Sequence, residues 1–214
     1  MVLNFRSFIS LSSIKILDKA TLFFASVLLF QIDQKTSDDF LYFARILALA
    51  TVLLSFGMKQ TIIRKNLSFK AIGFPILIPT VLCFVFSLIF KDYFFFILGI
   101  SLNVSLGIIS SVLVVSEKIR ASIVIESFFS SMLSLFLIAL NKNFNAFEII
   151  FFSRLPVFIY ALIKYSKQIS FDLSWFQFNT SINFYFQNGM QSCVKNIDAI
   201  VVRNVLKVFA IDYT

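Results

Sequence analysis

The apolar residues of this chain fall into long blocks separated by short polar breaks. The block Phe40–Met58 is nearly continuous, with one arginine, Arg45, set inside it, and is followed by Lys59, Arg64, Lys65 and Lys70. About 20 residues of helix, rising 1.5 Å each, cover the roughly 30 Å hydrocarbon core of a bilayer. The block therefore predicts a membrane-spanning helix with a basic turn beyond it. The pattern recurs, and it predicts spans at Ile14–Ile32, Phe40–Met58, Ala71–Phe90, Tyr93–Val115, Ala121–Leu140, Ala146–Tyr165 and Ile182–Val202. The fold predicted is all-α: a polytopic membrane helix bundle of about seven spans.

The breaks are polar turns at Asp33–Asp39, Lys91-Asp92, Glu117–Arg120 and Asn141–Asn145. Pro75 and Pro79 are expected to kink the third span, since each removes a backbone donor. In the fourth span, Gly99, Ser101, Asn103, Ser105 and Gly107 permit close helix packing. Ser166–Ser181 is the longest stretch without a span. Its rough alternation of apolar and polar residues around Trp175 predicts an interfacial linker. The division expected is a six-helix membrane lobe over 1–165, a linker over 166–181, and the first helix of an incomplete second lobe over 182–214. Val205–Ile211 looks like the approach to a further span. Met1–Ser13 lacks a distinct small-residue cleavage site, so an interfacial lead-in is expected and not a removable signal peptide.

Composition agrees with membrane embedding. The chain is 59% hydrophobic with 30 Phe, and its mean hydropathy is +0.91; soluble domains run near 45–50% apolar. A net charge of +8 would suggest nucleic acid in a soluble protein, but here it is chiefly loop charge, and no nucleic-acid partner is expected. Cys83 and Cys193 both lie in apolar spans and read as small packing residues. Histidine is absent, which removes His-ligated metals and a His general base. No Walker motif, metal-ligand cluster or catalytic triad is evident, so neither an enzyme nor a cofactor is expected.

Loop charge orients the bundle. With the N-terminus in the cytoplasm, the inner side receives Arg6, Lys15, Lys19, Lys59, Arg64, Lys65, Lys70, Lys118, Arg120, Lys164 and Lys167. The outer side receives Lys35, Lys91 and Lys142. That bias predicts a multi-pass protein of the inner (cytoplasmic) membrane with a cytoplasmic N-terminus.

The candidate chemistry lies in charges at membrane depth. Arg45 is about 8 Å and Arg154 about 12 Å below the outer surface, and Lys195 about 10 Å below it. If they face one cavity, they form a polyvalent anion site, and the planar arginine fork suits phosphate. In the seventh span Gln187, Gln191, Lys195 and Asp198 are spaced 4, 4 and 3, one face of a helix, which Asn188 and Ser192 widen. Such a face must meet protein or water. Each residue has a structural reading too. Arg45 and Glu126 can snorkel to the headgroups. Lys195 and Asp198 can pair locally. Arg154 can tie helices together, and Asp18 can pair with Lys15 or a headgroup.

Three stretches resemble the polysaccharide-unit flippases of the multidrug/oligosaccharidyl-lipid/polysaccharide exporter superfamily. Ser13–Phe40, with a second helix closing in Ser55-Phe56-Gly57-Met58 and then Ile62-Ile63-Arg64, looks like that family's opening helix pair. The paired spans through Tyr165 look like its N-terminal lobe. Asn196-Ile197-Asp198-Ala199-Ile200-Val201-Val202 looks like its seventh-helix signature. The family usually has 12 or more spans in two lobes, so the resemblance implies one lobe plus a helix here. Asp212 stands where a glycine before the tyrosine would be typical.

The resemblance implies alternating access, with export of polyprenyl-diphosphate-linked oligosaccharide units for surface polysaccharide synthesis. Substrate contacts would fall to Arg45, Arg154, Lys195, Gln187 and Gln191, and ion coupling to Asp198, Asp18 or Glu126. Partners would be the lipid-linked oligosaccharide, membrane lipids and a second polypeptide supplying the other lobe. Competing expectations are a small-molecule exporter of the same superfamily, a membrane enzyme of lipid-linked sugar transfer, and a truncated or split half-transporter with a scaffold role or no activity of its own. A cationic cavity argues against cationic cargo, and short outer loops argue against the enzyme.

Overall fold

The computed structural model describes residues 5–140 and 144–171. Every regular element among them is helical, and the helices pack side by side as an all-α bundle. α1 (Phe5–Ile32) is followed, after Asp33, by α2 (Gln34–Leu54). A break at Ser55–Gly57 leads into the short α3 (Met58–Lys65), bent 58° from α2. α4 (Gly73–Ile89) and α5 (Phe94–Val115) come next. α6 (Ile119–Ile123), a π turn at Val124–Phe128 and α7 (Phe129–Leu140) follow one another without a gap, and α8 (Ala146–Tyr165) packs on α7. Short connections make consecutive long helices antiparallel neighbours. One end of the bundle therefore holds the α1–α2, α4–α5 and α7–α8 turns. The other holds α3, the α5–α6 turn and the end of α8. The first is called the Asp33 end and the second the Lys59 end.

α5 is the central helix. In its most apolar stretch 78% is buried, against 39% or less in the other three apolar spans. It packs against α2, α3, α4, α6 and α8. Small residues allow this approach: a methyl on Gly99 would already stand 3.0 Å from Ile150 Cγ2 of α8. Within it Leu106, Ile108, Ile109, Val112 and Leu113 are fully buried. The outside is also apolar, with Ile89 64%, Phe136 56% and Ile163 74% exposed. A soluble protein rarely exposes so much contiguous apolar surface. The pattern is that of a multi-pass membrane protein.

The span count is lower than seven among the described residues. Four helical stretches are long and apolar enough to cross a membrane: Phe69–Ile89, Lys91–Val115, Ile119–Leu140 and Ala146–Gln168. The bent pair α2–α3 makes a fifth if taken as one span. α1 has the length, but Lys15, Asp18 and Lys19 sit within its apolar stretch. The seventh span expected at 182–202 lies outside the described residues, as do Trp175, Cys193 and most of the linker. Cys83 is buried in α4.

Two boundaries moved for a physical reason. The expected polar turn Asp33–Asp39 shrinks to Asp33 alone. The Asp33 carboxylate caps α2, accepting from the backbone N–H of Lys35 and of Thr36, each at 3.1 Å, and from the Thr36 hydroxyl. The Thr36 hydroxyl is the main reason its pKa lies below the usual value. Gln34–Asp39 are thus helical although polar. Likewise α1 begins at Phe5, inside the expected lead-in. Of the two prolines expected to kink the third span, Pro75 is the third residue of α4, where no intrahelical bond is lost. Only Pro79 sits in the helix interior.

The α2–α3 break runs through two left-handed residues, Phe56 (φ 46°) and Gly57 (φ 71°). Glycine adopts this region freely, whereas a bulky side chain there costs about 1–2 kcal/mol. At the same end the start of the linker folds back on α4. The Gly73 N–H donates to the Ser170 carbonyl at 3.1 Å. Phe69 stacks on Tyr165 with ring centroids 4.8 Å apart.

Candidate functional site

Arg154, Glu126 and Asp18 each make a polar contact between helices. The first is built on α8, whose start is fixed by a capping box. The Asn145 side chain accepts from Glu148 N–H at 2.9 Å, and Glu148 accepts from Asn145 N–H at 3.0 Å. Arg154 is about 13 Å along the helix from the capping residue Asn145. Helical side chains lean toward the N-terminus, so Arg154 reaches back one turn. Its Nη1 donates to the Ile150 carbonyl at 2.8 Å and to Ser153 Oγ at 3.2 Å. Its Nε donates to Asn103 Oδ1 of α5 at 3.0 Å. Asn103 Nδ2 in turn donates to Thr51 Oγ1 of α2 at 2.9 Å, and Thr51 donates to the Leu47 carbonyl at 2.7 Å.

Every acceptor in this chain of bonds is neutral. Among the described residues Arg154 has no carboxylate partner. A half-buried cation inside a span, held only by neutral dipoles, keeps its positive field. Such a group attracts an anion.

The second contact lies toward the Lys59 end. Lys59 Nζ of α3 meets Glu126 Oε1 of the π turn at 3.0 Å. Ser110 Oγ of α5 donates to Glu126 Oε2 at 2.7 Å and shares a 2.7 Å bond with Ser122 Oγ of α6. Gly107 makes room: a methyl on it would overlap the Cε and Nζ of Lys59. The π turn places Glu126 here, because the Phe129 N–H bonds to the Val124 carbonyl five residues back and the chain widens by one residue. Asn103, Gly107 and Ser110 follow at spacings of 4 and 3, one face of α5. The first two contacts thus lie along a single seam, about 10 Å apart.

Charge reversal tests the second contact. Lys59→Met and Glu126→Gln are each expected to lower the melting temperature in detergent, by the few degrees that about 1 kcal/mol corresponds to. The exchanged pair Lys59→Glu with Glu126→Lys should recover part of the loss. Additive losses in the exchanged pair would show that the two side chains do not interact.

The third contact joins α1 to α7. Asp18 is buried, and its Oδ1 accepts from Ser131 Oγ at 2.6 Å. Lys19, mostly exposed, stands 4.0 Å from its other oxygen. Ser131 and Lys19 thus take the place that Lys15 or a headgroup was expected to fill.

Arg45 lies elsewhere. It is exposed on α2, on the face that includes Leu41 and Ala48. Six residues separate it from Thr51, which is about 120° around the helix. Arg45 and Arg154 share no hydrogen-bond partner among the described residues. Gln187, Gln191, Lys195 and Asp198 lie outside the described residues. The groups that sequence reasoning missed are neutral or loop-proximal: Thr51, Lys59, Ser110, Ser122 and Ser131. Asn103 was read only as a packing residue. The 4-and-3 spacing of Asn103, Gly107 and Ser110 was the available signal. No cluster of three metal-ligating side chains occurs among the described residues.

Comparison of the chain with protein families, curated proteins and solved structures finds no match in any of the three.

Proposed function

We propose that this chain is a membrane-transport lobe for an anionic, lipid-linked cargo, exporting polyprenyl-diphosphate-linked oligosaccharide units across the cytoplasmic membrane by alternating access. The observation that supports it best is Arg154, a cation at membrane depth whose described partners are all neutral. Its Asn103 bond fixes the guanidinium plane, which favours two-pronged contact with phosphate oxygens over loose ion pairing. Arg45 adds a second cation on an exposed face of α2. In this reading that face meets a second lobe, and Lys195, Gln187 and Gln191 complete the contacts. Glu126 and Asp18, with Asp198, serve ion coupling. The basic residues gathered at the Lys59 end support a cytoplasmic location for that end and for the N-terminus. The cargo crosses without bond making or breaking, so the protein is no enzyme.

The test is export of surface polysaccharide from cells whose only copy is the variant Arg45→Ala, Arg154→Ala, Lys195→Ala. Export should fall at least about tenfold, the loss that about 1.4 kcal/mol of binding corresponds to. Full export at normal protein level would overturn the reading.

A further inference from the structure

A second cation-bearing feature lies on the outer face of the bundle, away from the polar seam. Between α7 and α8 runs a cleft of about 320 Å³ lined by Phe129, Leu133, Pro156, Val157 and Tyr160. Its walls are aromatic and aliphatic, and Tyr160 is the lining residue furthest along α8. One helical turn further on, Lys164 Nζ donates to the Tyr160 hydroxyl oxygen at 2.9 Å. The same ammonium stands 5.2 Å from the Tyr160 ring centroid and 5.8 Å from that of Tyr165. Two aromatic faces therefore steer it. Lys164 and Tyr160 are both exposed, and Lys164 pairs with no carboxylate among the described residues.

The hydrogen-bond inventory gives this pair its use. The Tyr160 oxygen accepts from Lys164, so its own O–H proton remains free to donate. The ammonium also has donors to spare. Two donors, one of them charged, thus lie together at Tyr160, which lines the apolar cleft, and Lys164 one turn beyond it. That combination fits a molecule with an anionic phosphate at one end and an acyl chain at the other. We propose that the α7–α8 cleft is a binding site for one anionic phospholipid, its chain against Leu133, Pro156 and Val157 and its phosphate on Lys164 and Tyr160. A free phosphate would leave the cleft empty. A zwitterionic lipid would fill the cleft but match the uncompensated ammonium poorly.

The experiment is lipid retention. Protein is reconstituted in bilayers of equal phosphatidylglycerol and phosphatidylcholine with identical chains, extracted in mild detergent, and its bound lipid counted by native mass spectrometry. Phosphatidylglycerol should be retained about fivefold over phosphatidylcholine, the factor expected for one basic residue at the membrane surface. Lys164→Gln, an exposed position, should remove the preference while leaving some lipid bound. Leu133→Trp should lower retention of both lipids by filling the cleft. Glycerol phosphate added during extraction should not displace the bound lipid. Equal retention of the two lipids, a preference unchanged in both variants, or displacement by glycerol phosphate would overturn the site. The readout is independent of transport.

Discussion

Asn103→Asp is expected to abolish anion handling while leaving the bundle folded. Asn103 sits where α2, α5 and α8 meet, accepting from Arg154 Nε and donating to Thr51. The aspartate keeps the shape and the acceptor oxygen. It adds a negative charge about 3 Å from the guanidinium, so the cation gains the internal partner that it lacks. An arginine so neutralised has little field left for a phosphate. Loss of the Thr51 contact costs about 1 kcal/mol, and the stronger bond to Arg154 offsets it. Melting temperature in detergent should therefore stay within a few degrees, while polysaccharide export falls at least about tenfold. Asn103→Leu makes the contrast. It removes both bonds and strands the Arg154 Nε–H, at about 2–3 kcal/mol, so stability and export should fall together. An Asn103→Asp protein with full export would show that the Arg154 charge is not used on cargo.

Gly73→Ala should have the largest effect of any single methyl in the described structure. A Cβ at Gly73 would overlap the Ser170 carbonyl oxygen and crowd the Phe171 ring. The carbonyl is backbone and cannot swing aside as a flexible side chain would. It is also the acceptor of the Gly73 N–H, so the clash breaks the bond that docks this segment. Overpacking of this kind costs about 1–3 kcal/mol. The expected result is release of 166–171 from α4, seen as tryptic cleavage after Lys167 accelerated about tenfold, which corresponds to about 1.4 kcal/mol of local stability. Gly107→Ala also overlaps a neighbour, but that neighbour is the flexible end of Lys59, which can move. Unchanged cleavage in Gly73→Ala would mean that the docked segment is already open in solution.

These contrasts show what a sequence discloses and what it hides. α5 and α8 were legible nearly to the residue, because an apolar run flanked by Lys91-Asp92 or Asn145 has only one way to begin. α1 and α2 were less so. Gln34–Asp39 are polar yet lie within α2, and composition cannot tell a polar helix end from a turn. Arg154 was recognised as a deep cation, yet its partners were not, since Asn103 and Thr51 are 51 and 103 residues away in sequence. The same holds for Lys59 and Glu126, 67 residues apart. Arg45 and Arg154 share an approximate depth, which rise per residue can estimate. Depth says nothing of azimuth, and the two lie on different faces of the α2 neighbourhood.

The π turn at Val124–Phe128 bears on how this protein can change length. Elsewhere in a packed helix, deleting one residue swings everything beyond it by about 100°. A π turn holds one residue more than the regular ladder, so its loss restores ordinary winding and leaves the flanking helices facing as before. Ser131 would still meet Asp18, and Ser122 would still meet Ser110; only Glu126 would be displaced from Lys59. In the rod Ile119–Leu140 this is where a codon can be lost without remodelling the bundle, and Glu126 is the side chain whose presence at the seam hangs on that codon.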